Sequence, residues 1–142
     1  MKQLNSRVYV DVNIFLNPIL YDSKSNPEAA RAEEFLKKIV FKDVEAFTSI
    51  ISWDELVWVV RKLIGRDISI KKGQEFLIFP NLNFIHVTSA VVRKAQDLIK
   101  EYNIKPRDAI HVSSALLKNL AEIITFDEDF AKIPLIKSNS LD

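Results

Sequence analysis

Four acidic residues stand at places where a carboxylate is costly: Asp11, Glu55, Asp108 and Asp127. Three of them lie at the junction of an apolar run and a predicted helix, and Glu55 lies on the apolar side of a helix. A carboxylate in such surroundings needs a partner to offset the loss of water. If the four converge on one point, they would bind a hard divalent cation and support phosphoryl chemistry. If they do not converge, the sequence describes a small α/β domain without an assignable site.

The first three acids also have purely structural interpretations. Asp11 is suited to cap the helix that follows it, a contribution of about 1 kcal/mol. Ser52 and Glu55 have the spacing of a capping box, in which two side chains satisfy the backbone at a helix start. Asp108 falls in the first turn of a predicted helix, where an acid complements the helix dipole. Taken one at a time, these acids therefore do not establish a site.

The fourth acidic position is ambiguous, because Asp127 and Asp129 both open a short helix after a strand. Spacing does not decide which of the two points inward, and we favour Asp127 because it is nearer the strand end. His111 follows Asp108 by about one helical turn and stands between two apolar residues. A histidine in that setting is more often structural than catalytic, so we predict a structural role for it.

Composition removes most rival chemistries. The 142 residues include no cysteine, which excludes disulfides, thiolate nucleophiles and cysteine-based zinc sites. Two glycines are too few for a phosphate-cradling loop, and two histidines cannot build a three-histidine zinc site. The net charge of +1 argues against a strongly polybasic nucleic-acid binder but leaves room for a local basic patch. No apolar run approaches the roughly 20 residues that span a bilayer, and we expect a cytoplasmic protein without a signal peptide.

Apolar runs and helical periodicities alternate along the chain. The pattern predicts strands at 7–11, 46–48, 83–87 and 122–125, a last edge strand at 134–138, and helices at 13–20, 28–40, 52–64, 67–79, 89–102, 106–120 and 127–130. Strands that are apolar without alternation are typical of a parallel sheet covered on both faces. We therefore predict a single domain over residues 1–142, an α/β fold of three α/β/α layers around a central parallel sheet of four or five strands. Asp11 and Asp127 fall at the carboxyl ends of strands, where open parallel sheets bind ligands.

Jointly, the segments that carry these acids resemble a known family. The strings VYVDVNIFL, SWDELVWVV, KPRDAIHVSSAL and ITFDEDF, in that order and spacing, resemble the PIN-domain nucleases. The most specific part is RDAIHVSSAL followed by ITFDEDF, which is similar to the C-terminal half of VapC-type toxins. The resemblance assigns the catalytic, metal-binding acids to Asp11, Glu55, Asp108 and Asp127, with supporting polar positions at Asn13 and Thr125. It leaves open whether Asp129 shares or replaces the role of Asp127. Val12 departs from the family, in which a serine or threonine often follows the first acid.

The resemblance implies an endoribonuclease that uses Mg²⁺ or Mn²⁺, as one or two ions, to hydrolyse RNA phosphodiester bonds. Oxygen ligands suit both cations, and a bound ion lowers the pKa of its water enough to make hydroxide available near neutral pH. The implied partners are RNA, a small antitoxin protein and a second copy of the chain in a homodimer. The alternative is a PIN-fold module that binds RNA or protein without cutting. The presence of all four acids argues against that alternative.

An acidic centre also needs positive charge nearby to bind RNA. The candidates are Lys24, Arg31, Lys105 and Arg107. For any single one of them, a solvated charged face is the simpler interpretation.

An antitoxin of this family would lay a helix into an apolar groove. Phe15, Phe41, Trp53 and Trp58 are candidates to line such a groove, but a place in the core is the simpler expectation for each.

Overall fold

Five parallel strands form the sheet around which the chain is built. The computed structural model describes residues 6–142, so residues 1–5, on which part of the signal-peptide expectation rests, lie outside it. The strands are β1 (Ser6–Val10), β2 (Val44–Ser49), β3 (Leu82–Ile85), β4 (Glu122–Ile124) and β5 (Lys137–Asn139). Their order across the sheet is β3-β2-β1-β4-β5, with every pair parallel. The predicted parallel sheet is confirmed, with β1 at its centre.

Helices cover both faces of the sheet. Those in residues 6–142 are α1 (Val12–Leu20), α2 (Pro27–Val40), α3 (Ser52–Leu63), α4 (Arg66–Leu77), α5 (Ser89–Tyr102) and α6 (Pro106–Leu117), with a 3₁₀ helix at Glu128–Lys132. Val8 and Val10 of β1 point into a core built with residues of α1 to α4, and Tyr9 points into a second core built with α5 and α6. This alternation is the ordinary period of a strand, and it confirms the three-layer α/β/α prediction.

The limits of some elements differ from the pattern-based prediction. The last edge strand, predicted at 134–138, lies at Lys137–Asn139, and the third strand ends at Ile85 rather than at 87. The sixth helix stops at Leu117, before Asn119 adopts a positive φ of 59°. Strand limits follow from pairing with neighbours, which periodicity does not record. No helix within the described part of the chain is long and apolar enough to cross a membrane.

The predicted capping box at the start of α3 is wrong. The helix begins at Ser52, Ile51 occupies the cap position, and no side chain caps it. The hydroxyl of Ser52 instead lies 2.8 Å from the hydroxyl of Thr48, at the end of β2. Both residues are fully buried, so each hydroxyl needs a hydrogen-bonding partner within the protein, and each provides one for the other. Glu55 is therefore not committed to the helix start and its carboxylate is available elsewhere.

Removing the Ser52 hydroxyl tests this arrangement. We expect Ser52→Ala to destabilise the fold by about 1–3 kcal/mol, because it takes one hydrogen-bonding partner away from the buried Thr48 hydroxyl. The double variant Thr48→Val/Ser52→Ala should recover most of that loss, since it removes both polar groups together. Urea unfolding of the three proteins measures the difference. A double variant no more stable than Ser52→Ala would point back to a helix-capping role.

Candidate metal centre

Asp11 follows β1 directly and is held by donors on two sides. Its N–H donates to the carbonyl of Ile124 at 2.9 Å, which extends the pairing of β1 with β4. One carboxylate oxygen accepts the N–H of Val12 at 2.7 Å, and the other accepts the hydroxyl of Thr125 at 2.7 Å. The residue is only 5% exposed. Asp11 therefore caps α1, as its structural interpretation required, and also lies buried at the end of the central strand.

Thr125 and Asn13 link the end of β1 to the end of β4. The Thr125 hydroxyl oxygen accepts the side-chain amide of Asn13 at 3.3 Å and the N–H of Asp127 at 3.0 Å. The side-chain oxygen of Asn13 accepts the N–H of Phe126 at 3.3 Å. These contacts hold the segment after β4 against the start of α1. Asp127 is brought close to Asp11 as a result.

The acids lie in two adjoining groups. Ligand-type atoms of Asp11, Glu55 and His111 lie within 4.8 Å of one another, and so do those of Asp108, Asp127 and Asp129. Asp127 also caps the 3₁₀ helix, since its carboxylate accepts the N–H of Asp129 at 2.9 Å. The structure therefore places both candidates for the fourth acidic position beside Asp108.

Glu55 reaches the centre from α3 and contacts two basic side chains. Its Oε1 lies 2.6 Å from Nε2 of His111 and 3.7 Å from Nε of Arg107. His111 is 1% exposed, and its other ring nitrogen, Nδ1, lies 2.5 Å from the hydroxyl of Tyr9. The histidine is thus a satisfied, buried side chain, in line with the structural role predicted for it. It is also in direct contact with one of the four acids.

Shifted pKa values show that the two groups form one electrostatic centre. Burial, together with the charges of Asp127 and Asp11, raises the pKa of Asp108 to about 6. Burial also raises the pKa of Asp11, against the opposing effects of His111 and the Thr125 hydrogen bond. Burial lowers the pKa of His111, but its hydrogen bond to Glu55 and the surrounding carboxylate charges outweigh this and raise it above the ordinary value. Burial is thus the largest cause, the neighbouring carboxylate charges add to it, and Asp108 keeps its proton up to mildly acidic pH.

The donor set fits a hard divalent cation. Carboxylate oxygens are the ligands that Mg²⁺ and Mn²⁺ prefer, and the chain contains no thiolate that would favour a softer metal. Among the described residues, the contacts to cationic groups around the four acids come from His111 and Arg107. Burial is the largest cause of the raised pKa of Asp108, and a cation would offset the carboxylate repulsion that adds to it. The cluster could accordingly hold a metal, with Asp11, Glu55, Asp108 and Asp127 as the expected ligands.

The predicted RNA-binding residues lie in different places. Arg107 contacts Asp54 at 3.4 Å and Glu55 at 3.7 Å, at the edge of the acidic centre. Lys105 immediately precedes α6, in the same corner of the chain. Arg31 pairs with Asp142 at 3.5 Å, and the backbone N–H of Lys24 donates to Asp22 in the loop before α2. The structure thus brings Arg107 to the acids, and it records other contacts for Arg31 and Lys24.

The aromatic candidates separate clearly. Phe15 is 4% exposed, which confirms the core expectation for it. That expectation is wrong for Trp53, Trp58 and Phe41, which are 39%, 58% and 73% exposed. Trp58 instead lies under the Lys62 ammonium, 4.9 Å from the ring centroid. Aromatic content alone did not predict which face of α3 would meet another element.

Tyr9 was not selected from the sequence, although a signal for it was present. It stands between two valines in the apolar run before Asp11, and a buried tyrosine hydroxyl normally needs a hydrogen-bonding partner. Its partner, His111, is 102 positions away along the chain, so only the fold could identify the pair.

The fold and the acidic centre define a class, and sequence comparison agrees with it. The model of the PIN domain family matches residues 8–135, and the chain belongs to that family. The chain is similar to Ribonuclease VapC2 of Methanocaldococcus jannaschii, 23% identical over 149 residues that cover 96% of this chain and 95% of that one.

Solved structures with the same fold come from several bacteria. A toxin–antitoxin complex from Klebsiella pneumoniae is 24% identical, with a TM-score of 0.65, and covers 95% of this chain and 98% of its own. VapBC2 from Rickettsia felis, bound to a promoter DNA fragment, is 20% identical, with a TM-score of 0.71 and coverage of 94% and 97%. Mycobacterium tuberculosis VapC20, a toxin that cleaves the sarcin–ricin loop, is 13% identical, with a TM-score of 0.72 and coverage of 92% and 97%.

The raised pKa of Asp108 predicts how stability depends on pH without metal. The folded protein holds the proton of the Asp108 carboxyl more tightly than the unfolded chain does. The stability that this proton contributes is therefore complete below pH 3.8 and is lost as the pH rises through about 6. Asp108→Asn lacks this titration. We expect its stability advantage over the parent to grow by on the order of 1 kcal/mol between about pH 4 and about pH 7, with solvent screening of the half-buried carboxyl taken into account.

The measurement is denaturant unfolding of both proteins in EDTA across that pH range. An advantage that stays constant with pH would contradict the raised pKa of Asp108.

Proposed function

We propose that this protein is a metal-dependent endoribonuclease and the toxin of a toxin–antitoxin pair. The observation that carries the proposal is the pair of acidic groups, Asp11 with Glu55 and Asp108 with Asp127, that come from separate elements and act on one another electrostatically, with Asp11 buried at the end of the central strand. The proposal is supported by membership of the PIN domain family and by similarity to a relative named a ribonuclease. The non-catalytic alternative has no comparable support, because an unused cluster of repelling acids would cost stability.

Asp11, Glu55, Asp108 and Asp127 would hold Mg²⁺ or Mn²⁺, as one or two ions. When bound, the metal supplies hydroxide near neutral pH and neutralises charge on the phosphate oxygens. The protein's own contribution is to fix the ligands before binding. The Val12 N–H and the Thr125 hydroxyl orient the carboxylate of Asp11, and each of its oxygens keeps a second lone pair for other partners.

Asn13 and Thr125 would support the acids rather than touch the substrate. Their hydrogen bonds join α1 to the segment after β4, so Asp11 and Asp127 keep a constant separation. Fixing that separation in advance lowers the reorganisation required when a cation binds.

RNA phosphates would meet positive charge at the corner that carries Lys105 and Arg107. The Arg107 side chain is half exposed, and its bridges to Asp54 and Glu55 are long, so a phosphate oxygen can compete for the guanidinium. Lys24 and Arg31 stay predicted RNA contacts. Arg31 would first have to break its ion pair with Asp142.

A small antitoxin is the proposed protein partner, and a homodimer is the proposed assembly. Toxin–antitoxin complexes among the structures that share this fold support the partner. A groove between α1, α2 and α4 could receive an apolar helix; Phe15, Ile19, Leu36, Phe76 and Phe79 line it. Phe15 therefore has its place in the core and also forms one wall of the groove.

Metal binding should stabilise the fold. We expect millimolar Mg²⁺ or Mn²⁺ to raise the melting temperature. At a hundredfold excess of metal over its Kd, the free energy of unfolding should rise by about 2.7 kcal/mol. Asp127→Asn should lose most of this gain and Asp129→Asn little of it. The Asp127 backbone is tied to Thr125, whereas Asp129 is exposed and pairs with Lys132 at 3.5 Å.

Melting curves of the three proteins, with and without metal, measure these shifts. A greater loss in Asp129→Asn would move the fourth ligand to that position, and a parent curve that metal leaves unchanged would count against the cluster.

RNA cleavage tests the activity itself. We expect the protein to cut RNA in Mg²⁺ or Mn²⁺ and to stop in EDTA. Asp11→Asn should lose more than the roughly 10–100-fold that is typical of changes to groups supporting a ligand. Asp97→Asn, an exposed acid on α5, is the matched control and should cut normally. If the parent binds RNA without cutting it in either metal, the non-catalytic binding module replaces the nuclease proposal.

A further inference from the structure

A chain of hydrogen bonds runs from the backbone of β2 to Glu55 through the interior of the protein. The N–H of Ser49 donates to the hydroxyl oxygen of Tyr9 at 2.9 Å. The Tyr9 hydroxyl lies 2.5 Å from Nδ1 of His111, and Nε2 of His111 lies 2.6 Å from Oε1 of Glu55. Tyr9 is fully buried and His111 is 1% exposed, so these are interior contacts sheltered from solvent.

The direction of the chain follows from the groups that compose it. A backbone N–H can only donate, so the Tyr9 oxygen accepts from Ser49. The ionised carboxylate of Glu55 can only accept, so Nε2 of His111 carries the proton between them. On a neutral ring Nδ1 accepts the Tyr9 hydroxyl, and on a doubly protonated ring Nδ1 donates to the Tyr9 oxygen. The bond from Nε2 to Glu55 is therefore present in either charge state of the histidine.

Glu55 needs such a support more than the other acids do. Asp11 is fixed by a backbone N–H and a hydroxyl, whereas within residues 6–142 no backbone group donates to the carboxylate of Glu55. Glutamate has a longer side chain than aspartate, and its rotamer freedom is correspondingly costly to restrict. Its other recorded partner, Arg107, is half exposed and 3.7 Å away, so that contact is long and screened by water.

We propose that Tyr9 and His111 are positioning residues that hold the Glu55 carboxylate in place for the metal. The inference rests on the proposed function, because it gives Glu55 a metal to bind. It adds two residues that act through Glu55 and touch neither RNA nor the reacting bond. The hydrogen-bond chain begins at the backbone N–H of Ser49, at the end of β2. Glu55 is therefore positioned relative to the same sheet that carries Asp11.

Two other interpretations use the same atoms. Tyr9 and His111 could simply fill the core, where their rings contact edge to face at a centroid separation of 5.7 Å. Alternatively, Nε2 of His111 could itself bind the metal, since it lies in the group with Asp11 and Glu55. The first predicts that only stability depends on these residues. The second predicts that Nε2 loses its proton to the metal.

Mn²⁺ affinity separates positioning from core filling. The variants are Tyr9→Phe, which keeps the ring, His111→Leu, which removes the donor to Glu55, and His111→Gln, which restores a donor. We expect His111→Leu to raise the Mn²⁺ dissociation constant about 10–100-fold and Tyr9→Phe to raise it by a smaller factor. His111→Gln should recover most of the affinity that His111→Leu loses. Ile133 lies in the same core as Tyr9 but takes no part in these hydrogen bonds, so Ile133→Val should bind Mn²⁺ as the parent does.

Calorimetric titration with Mn²⁺, beside a melting curve for each protein, gives both quantities. Equal affinity in the parent, Tyr9→Phe and His111→Leu overturns the proposal, as does a loss in Ile133→Val that matches its change in melting temperature. If His111→Leu fails to fold, Tyr9→Phe and the spectroscopic test below still decide the matter.

Imidazole nitrogen NMR distinguishes positioning from metal ligation. His86→Gln leaves His111 as the sole histidine, which makes its signals unambiguous. We expect Nε2 to carry a proton both without metal and with saturating Mg²⁺. Loss of that proton on adding Mg²⁺ would make His111 a ligand and overturn the proposal. If the parent protein neither binds Mn²⁺ nor cuts RNA, the proposed function and this inference are both wrong. If the parent is active and the variants bind Mn²⁺ as it does, this inference alone is wrong.

Discussion

The burial of one charge, that of Asp11, is the constraint on which the rest of the structure depends. The residue follows the central strand directly and is only 5% exposed. Its carboxylate is satisfied by the first N–H of α1 and by the hydroxyl of Thr125, which follows the neighbouring strand β4. Those two bonds are compatible with the observed start of α1 and the observed register of β1 with β4. An unsatisfied carboxylate at that depth would cost several kcal/mol.

The other acids then gather because parallel strands end at a common edge. The segment after β4 brings Asp127, and the starts of α3 and α6 bring Glu55 and Asp108. Burial and, in addition, their mutual repulsion raise the pKa of Asp108. A fold tolerates such a cluster only when the rest of the structure offsets its cost. The buried hydroxyls of Thr48 and Ser52, which hydrogen-bond each other, are an example of the satisfied polar groups around it. Bound cations would convert this stored repulsion into binding energy.

Much of the arrangement was predictable from local patterns, and the failures have identifiable causes. The parallel sheet and the helices on both faces followed from apolar runs and turn residues. The supporting roles of Asn13 and Thr125 stay a prediction, and the structure records the contact of Thr125 with Asp11. The capping box at Ser52 failed because the buried hydroxyl of Thr48, four residues earlier on the preceding strand, was a better partner than the helix backbone. The aromatic residues Trp53, Trp58 and Phe41 lie exposed, contrary to expectation, because hydrophobicity does not say which helix face finds a neighbour.

The sequence by itself determined the class of fold and the set of acids available for chemistry, because strand and helix periods and residue types are local properties. Only the tertiary structure decided what each acid contacts. The partner of Asp11 lies 114 positions away and that of Glu55 lies 56 positions away, so no local pattern could pair them. The buried connection from Tyr9 to His111 is of the same kind. Buried polar groups must find partners, and the parallel sheet, by bringing distant strand ends together, determined which partners were within reach.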